Sequence, residues 1–326
     1  MRTEGMARTA TTIRSHRGKV RVGVVGAGVF GGYHAQKFSS TPRAEFVGVF
    51  DLNTQAAAAL VAKAGKGVAF RTFDALADAC DAIVIATPAS THAALTRRAL
   101  EAGKHALVEK PLALTGAEAR SLAGLALERH LVLQVGHQER LLFQAMGLFS
   151  TSERPVRIEG ARMSPRSPDG RCEDVSCVFD LMIHDLDLAA ELFGGEVKSV
   201  RGKGQCVHTD SLDQASAKLR FATGEAKLTA SRCADRRARW MHVEYPSGTV
   251  EIDFLTGKVK NTTPFDIRAD VSAILPDPLR AADEAFLAAI QGRDVSPITG
   301  GVGARAAAMA EMVENSALNA MASAAA

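Results

Sequence analysis

Two patterns of apolar and polar positions divide the chain. From Val20 to about Leu142, short continuous apolar runs alternate with longer stretches of helical spacing. Continuous runs are expected where a strand is buried on both faces, as in a parallel sheet. Such strands are predicted over residues 20–25, 45–50, 81–87, 105–108 and 131–136, with helices over 91–102 and 115–129. Gly103 supplies a helix stop, and Thr115 with Glu118 three residues on supplies a capping box. This alternation predicts an α/β domain with a doubly wound parallel sheet, whose ligand lies at the carboxyl ends of the strands.

The pattern changes after Phe149. A strand over 155–163 and a helix over 175–193 lead into closely spaced strands at 197–207, 214–221, 226–231, 241–245 and 249–254. Ala222-Thr223-Gly224 and Pro246-Ser247-Gly248 are hairpin turns between them. Strands in series without intervening helices predict an α+β domain with an open, mainly antiparallel sheet. Helices over 278–290 and 302–322 close the chain. The expected division is a disordered leader at 1–19, a dinucleotide-binding Rossmann domain at 20–142, a substrate-binding and oligomerisation domain at 143–322, and a frayed tail at 323–326. Met6 offers an alternative start.

The break after the first strand carries chemistry. Gly26, Gly28 and Gly31 form a complete G-x-G-x-x-G leading from strand to helix, with Val29 and Phe30 inside it. Such glycines give a tight turn, close approach to a pyrophosphate and close helix–strand packing, with the phosphates at the helix N-terminus. Asp51 ends the second strand about 20 residues on, where the dinucleotide fingerprint places a carboxylate on the adenosine ribose. That carboxylate repels a 2′-phosphate, and Leu52 and Asn53 add no cation, so NAD is expected rather than NADP.

Composition narrows the class. The chain has 326 residues, 47% hydrophobic and 23% charged, with a net charge of +3, too small to imply a nucleic-acid partner. No apolar run is long enough to span a membrane. Cys80, Cys172, Cys177, Cys206 and Cys233 form no C-x-x-C and are odd in number, so reduced packing thiols in a cytoplasmic protein are expected, with no metal site. The first nineteen residues are rich in Arg, Thr and Ser but lack the apolar core of a secretory signal; a transit peptide shares their composition.

Three further stretches fall where this fold places its active site. Thr87-Pro88, followed by Ser90, Thr91 and His92, borders the expected nicotinamide position; a proline turn with a Ser/Thr cap is the plainer alternative. Glu109-Lys110-Pro111 directly follows the strand over 105–108, and a Lys–Pro bond can be cis. A lysine there, beside the cationic nicotinamide, is expected to have a lowered pKa that suits proton transfer. Asp180 and His184 are spaced four apart on a predicted helix, with Asp187 three further on. They form either an acid–base pair or an exposed salt-linked one.

Taken in order, these motifs resemble the Gfo/Idh/MocA family of glucose–fructose oxidoreductase and inositol dehydrogenase, over nearly the whole chain. The resemblance implies a sugar or polyol bound between the two domains and a homodimer or homotetramer in which open sheets cover an exposed apolar face. It assigns Lys110, Asp180 and His184 to catalysis: Lys110 on the reacting hydroxyl, His184 as base, Asp180 orienting it. Cofactor contacts are carried to Gly26, Gly28, Val29, Phe30, Gly31, Asp51, Thr87, Pro88, His92, Glu109 and Lys110. The runs V-L-Q-V-G-H-Q-E-R at 132–140, D-L-M-I-H-D-L-D at 180–187 and K-L-T-A-S-R at 227–232 resemble a bacterial subgroup oxidising the 3-hydroxyl of UDP-N-acetylglucosamine for a subsequent aminotransferase. Leu141-Leu142-Phe143 departs from that subgroup, which has Phe-Asn-Pro there. On this reading His137, Arg140, Arg162 and Arg232 join Lys110, Asp180 and His184 around the substrate. Arg166, Arg236 and Arg237 are further candidates for a pyrophosphate. An inositol or free-monosaccharide dehydrogenase, a redox-neutral NAD-using glycosidase and a non-catalytic NAD sensor are the competing readings.

Overall fold

A computed structural model describes residues 18–168, 170 and 173–325. The leader before residue 18 and Cys172 lie outside the described residues. Six parallel strands, β1 (Val20–Val25), β2 (Ala44–Phe50), β3 (Val68–Phe70), β4 (Ala82–Ile85), β5 (His105–Val108) and β6 (Leu133–Val135), take the order 3-2-1-4-5-6. β4 is buried at every residue, as expected of a continuous apolar run in the middle of a parallel sheet. Helices α1 (Val29–Ser40), α2 (Thr54–Ala64), α3 (Phe73–Ala79), α4 (His92–Glu101) and α5 (Gly116–Glu128) connect the strands. Side chains of Asn53, Thr72 and Thr115 accept from the amides of Ala56, Ala75 and Glu118, fixing where α2, α3 and α5 begin.

Helix α6 (Glu139–Met146), not foreseen from the pattern, leaves β6 directly and buries Arg140, Phe143 and Met146. Beyond it lies a seven-stranded sheet of β7 (Arg157–Met163), β8 (Ser199–Gln205), β9 (Gln214–Arg220), β10 (Glu225–Ser231), β11 (Ala238–Tyr245), β12 (Gly248–Asp253) and β13 (Lys258–Asn261). Its order is 13-12-11-7-10-9-8, antiparallel except between β7 and β10. One face packs Leu219, Leu228, Met241 and Val243 against Ile183 and Leu186 of α7 (Ile183–Phe193).

The other face differs from the apolar surface expected. Register places Arg201, Lys218, Lys227, Glu159, His242, Glu251 and Lys260 opposite one another in a row across all seven strands. Lys218–Glu225 and Lys260–Glu251 form ion pairs there, so the open face is lined with charge.

The chain's end also departs from a simple two-part division. Phe286, Leu287 and Ile290 of α8 (Pro278–Ile290) share a core with Val20, Val22 and Phe38. Ala304 and Ala307 of α9 (Gly300–Ala325) pack with Leu133 and Val135, while Val313 and Ala317 of the same helix join the core of the second sheet. Residues after about 277 therefore return to the first domain and fasten the two layers together. Cys80, Cys177, Cys206 and Cys233 are free thiols, and burial pushes Cys80 up to about 12. Among the described residues no helix is long and apolar enough to cross a membrane, and no side-chain cluster could hold a metal.

Candidate active site

The glycine turn is built by collision. Gly26 has φ +102°, and a Cβ there would strike the Ala86 carbonyl; one on Gly31 would strike the carbonyl of Gly26. Gly28 differs: a Cβ there would meet nothing within 4 Å. It is the N-cap of α1, with no side-chain cap and no acidic residue in the first turn, so the helix offers its amides and dipole to an anion. Val29 and Phe30 form that first turn. Asp51 stands beside it, with Oδ2 accepting from the Ala27 amide at 2.6 Å and Oδ1 from the Asn53 amide at 2.7 Å. Two fixed oxygens with remaining lone pairs suit ribose hydroxyls, and open space over Gly28 suits a pyrophosphate. The residues present fit a dinucleotide.

Thr87 and Pro88 lie in the loop just after β4, with Thr87 Oγ1 2.7 Å from Thr91 Oγ1 and the latter donating to the Pro88 carbonyl. Two residues assigned to the cofactor face elsewhere. His92 is 1% exposed, its Nδ1 2.7 Å from the Pro111 carbonyl and its Nε2 2.9 Å from that of Thr87. It ties the loop after β4 to the loop after β5. Glu109 is buried against His34, whose other nitrogen meets Asp283 of α8. Burial opposes a charge on His34, but Asp283 and then Glu109 outweigh it and push its pKa up to about 10.

Lys110 precedes a cis bond to Pro111 and reaches across to the second domain. Its Nζ donates to the Asp180 carbonyl at 2.7 Å and to Asp180 Oδ1 at 2.9 Å. The even helix expected over 175–193 is interrupted here: Val178–Met182 is a π-helical segment, closed by the Ile183 amide bonding to the Val178 carbonyl. A widened turn of this kind shifts the side chains around it and is frequent at functional sites. It brings the Asp180 carboxylate to Lys110. His184 has Glu139 as an acidic neighbour, Oε2 lying 3.6 Å from its Nδ1. The His137 ring stands edge-on to it, centroids 6.2 Å apart.

The electrostatics keep both histidines neutral. Burial, then Arg162 and Lys110, holds His184 well below the usual imidazole range. Burial, then Arg140, lowers His137 to about 3. Neither ring nitrogen of His137, nor Nδ1 of His184, has a hydrogen-bond partner among the described residues. Burial alone would raise Glu139, but Arg162 overrides it and leaves the carboxyl below its ordinary value. Glu139, His34 and Asp283 were not selected from the sequence. Glu139 lies within the G-H-Q-E-R run, whereas Asp283 is 249 positions from His34 and carries no local signal.

Three arginines expected at a pyrophosphate are paired internally instead. Arg162, 1% exposed, bonds Asp185 at 2.8 Å and Glu139 at 2.9 Å. Arg140 is held by Asp187 and Glu191, both at 2.8 Å. Arg232 bonds Asp213 at 2.6 Å, the Val175 carbonyl, and the hydroxyls of Thr209 and Ser211. A guanidinium needs this many acceptors to be buried, which is why each became a structural anchor. Arg166 pairs with Glu173.

Residues 20–137 match the oxidoreductase family with an NAD-binding Rossmann fold, and residues 154–251 match the GFO/IDH/MocA C-terminal domain. The chain is 40% identical over 238 residues to UDP-N-acetylglucosamine 3-dehydrogenase of Acidithiobacillus ferrooxidans, covering 72% of this chain and 74% of that protein. The solved structure of the enzyme of that name from the same organism superposes with a TM-score of 0.81 at 35% identity, over 91% of this chain and 97% of that one. Scyllo-inositol 2-dehydrogenase (NAD(+)) of Bacillus subtilis is 29% identical over 84% of each chain. The fold is shared by the WlbA dehydrogenase of Bordetella pertussis, solved with NADH and UDP-GlcNAcA, with a TM-score of 0.82 at 19% identity over 93% of this chain and 96% of that one. The cofactor is NAD, and the chain is an NAD-dependent oxidoreductase of the Gfo/Idh/MocA family.

Proposed function

We propose that this protein oxidises a secondary hydroxyl of a nucleotide sugar, the 3-hydroxyl of UDP-N-acetylglucosamine, with NAD as hydride acceptor. The observation that carries the reading is the 40% identity to the UDP-N-acetylglucosamine 3-dehydrogenase, supported by Lys110 bonding Asp180 and acting electrostatically on His184. Bound NAD supplies the nicotinamide carbon that takes the hydride.

The protein's part is proton handling and placement. His184, kept neutral by burial and by Arg162, is a base able to accept the hydroxyl proton at neutral pH. Glu139 beside it stabilises the imidazolium as it forms. Lys110, fixed by Asp180, donates a hydrogen bond to the substrate oxygen and stabilises its developing negative charge. Asp180 thus orients the lysine, a different task from the one read off the sequence. His137, whose ring nitrogens are buried and without a hydrogen-bond partner among the described residues, packs edge-on against His184. Thr87, Pro88 and the first turn of α1 place the two halves of the cofactor. The same proposal puts the enzyme in the cytoplasm as a homodimer or homotetramer, supplying a keto sugar to an aminotransferase.

The test is NADH formation by the purified protein with UDP-N-acetylglucosamine, free N-acetylglucosamine or myo-inositol, with a ketone trap present. NADH with the nucleotide sugar alone is expected. Equal or faster turnover of myo-inositol would move the protein to the branch represented by its 29% identical relative.

A further inference from the structure

With Arg140, Arg162 and Arg232 committed to internal carboxylates, a nucleotide sugar needs another cation for its diphosphate. Arg239 is that cation by position. In the antiparallel pairing of β11 with β7 it lies directly opposite Arg162, so both side chains leave the same face of the sheet. That is the face on which Arg162 meets Glu139 and Asp185 beside His184. Arg162 is sealed beneath this cluster, whereas Arg239, near the strand's start, is exposed. Among the described residues its guanidinium has no hydrogen bond and no ion pair. Its charge nevertheless acts on Glu139, His184 and Asp185, which places it at the exposed edge of this cluster.

We infer that Arg239 binds the anionic diphosphate of the substrate, an inference that rests on the nucleotide-sugar reading above. The chemistry of the substrate sets the distance. C1, which bears the diphosphate, is separated from C3 by one ring carbon. An anion attached there stays within about one sugar width of the base that serves C3. A planar, exposed guanidinium at the rim is suited to take two phosphate oxygens together. Arg236 and Arg237, exposed on the loop before β11, extend the same positive approach without being required for the contact.

The test uses the NAD-loaded enzyme and its Arg239→Gln and Arg239→Lys variants. UDP is titrated calorimetrically, and steady-state oxidation of UDP-N-acetylglucosamine is followed in parallel. Arg239→Gln is expected to weaken UDP and raise KM about tenfold or more, with kcat changed by less than about threefold, and Arg239→Lys to recover part of the loss. Unaltered UDP affinity and KM in Arg239→Gln would overturn the subsite, as would a wild-type enzyme that does not bind UDP. A kcat collapse at constant KM would overturn it too, by making Arg239 part of the chemistry. Failure of the wild type to oxidise the nucleotide sugar while binding UDP through Arg239 would instead sink the substrate reading and leave the anion site standing.

Discussion

His34 Nε2 lies 3.1 Å from Glu109 Oε1, joining the helix that begins at the glycine turn to the residue immediately before Lys110. Asp283 closes the contact from behind at 2.8 Å, and all three groups are buried. Helix α1, the loop carrying Lys110 and helix α8 thus meet at one imidazolium.

Replacing that imidazolium should destabilise the protein in a pH-dependent way. His34→Gln leaves two carboxylates facing each other without a cation, a loss of about 3–5 kcal/mol. The folded-state pKa of His34, about 10, stands above the ordinary value of 6.5. Its stabilisation is therefore complete below 6.5 and is lost as pH rises through about 10. The difference in unfolding free energy between wild type and His34→Gln should shrink steadily from pH 7 to pH 10 in denaturant titrations. A difference that stays constant over that range would show that the imidazolium is not the source. Adding Glu109→Gln to His34→Gln should recover part of the loss, because it removes one of the two stranded charges.

Lys110 and Asp180 should separate binding from chemistry. Lys110→Met removes the donor to the substrate oxygen while leaving Gly28 and Asp51 untouched, so NAD affinity by fluorescence titration should hold and kcat should fall about 10²–10⁴-fold. Asp180→Asn keeps a hydrogen-bond acceptor for Nζ but removes the charge, and a smaller kcat loss is expected. Full turnover by Lys110→Met would end its assignment to the reaction.

The local parts of this arrangement were legible in the sequence and the non-local parts were not. Gly26, Gly28, Gly31 and Asp51 occupy fixed offsets around one strand–turn–helix, so the apolar runs were enough to place them. Lys110 could be read because it lies just beyond the end of a strand. The pairing of Asp180 could not, because i, i+4 reasoning assumes a regular helix and Val178–Met182 is a π turn. The arginines misled for a related reason. Arg140 and Arg162 find Asp187 and Asp185 only through the packing of α6, β7 and α7, and a sequence shows charge without showing what neutralises it.

His184 makes a prediction for the pH profile. Burial and Arg162 hold its pKa well below 6.5, so its neutral, proton-accepting form persists below neutrality. The acid limb of kcat/KM, which reports the free enzyme, should fall below pH 6.5. Arg162→Met removes the cation and should move that limb upward, provided the variant still binds NAD. An acid limb at or above pH 7 in the wild type would assign the base to another group.

The two glycines at the start of α1 should fail in opposite ways. Gly28 has φ −76° and ψ −167°, a conformation open to any L-residue, and a Cβ there points into open space. Gly28→Val should therefore fold with nearly unchanged stability and lose NAD affinity about tenfold or more, because the added methyls occupy the approach to the pyrophosphate. In Gly31→Ala the new Cβ runs into the Gly26 carbonyl, which belongs to the turn itself. The helix must shift from the strand, at a stability loss of about 1–3 kcal/mol in the absence of any cofactor. Thermal unfolding with and without NAD distinguishes the two. Wild type and Gly31→Ala should both gain stability from added NAD, whereas Gly28→Val should gain little at the same concentration. A Gly28→Val protein stabilised by NAD as strongly as wild type would mean that the dinucleotide does not cross α1 at this point.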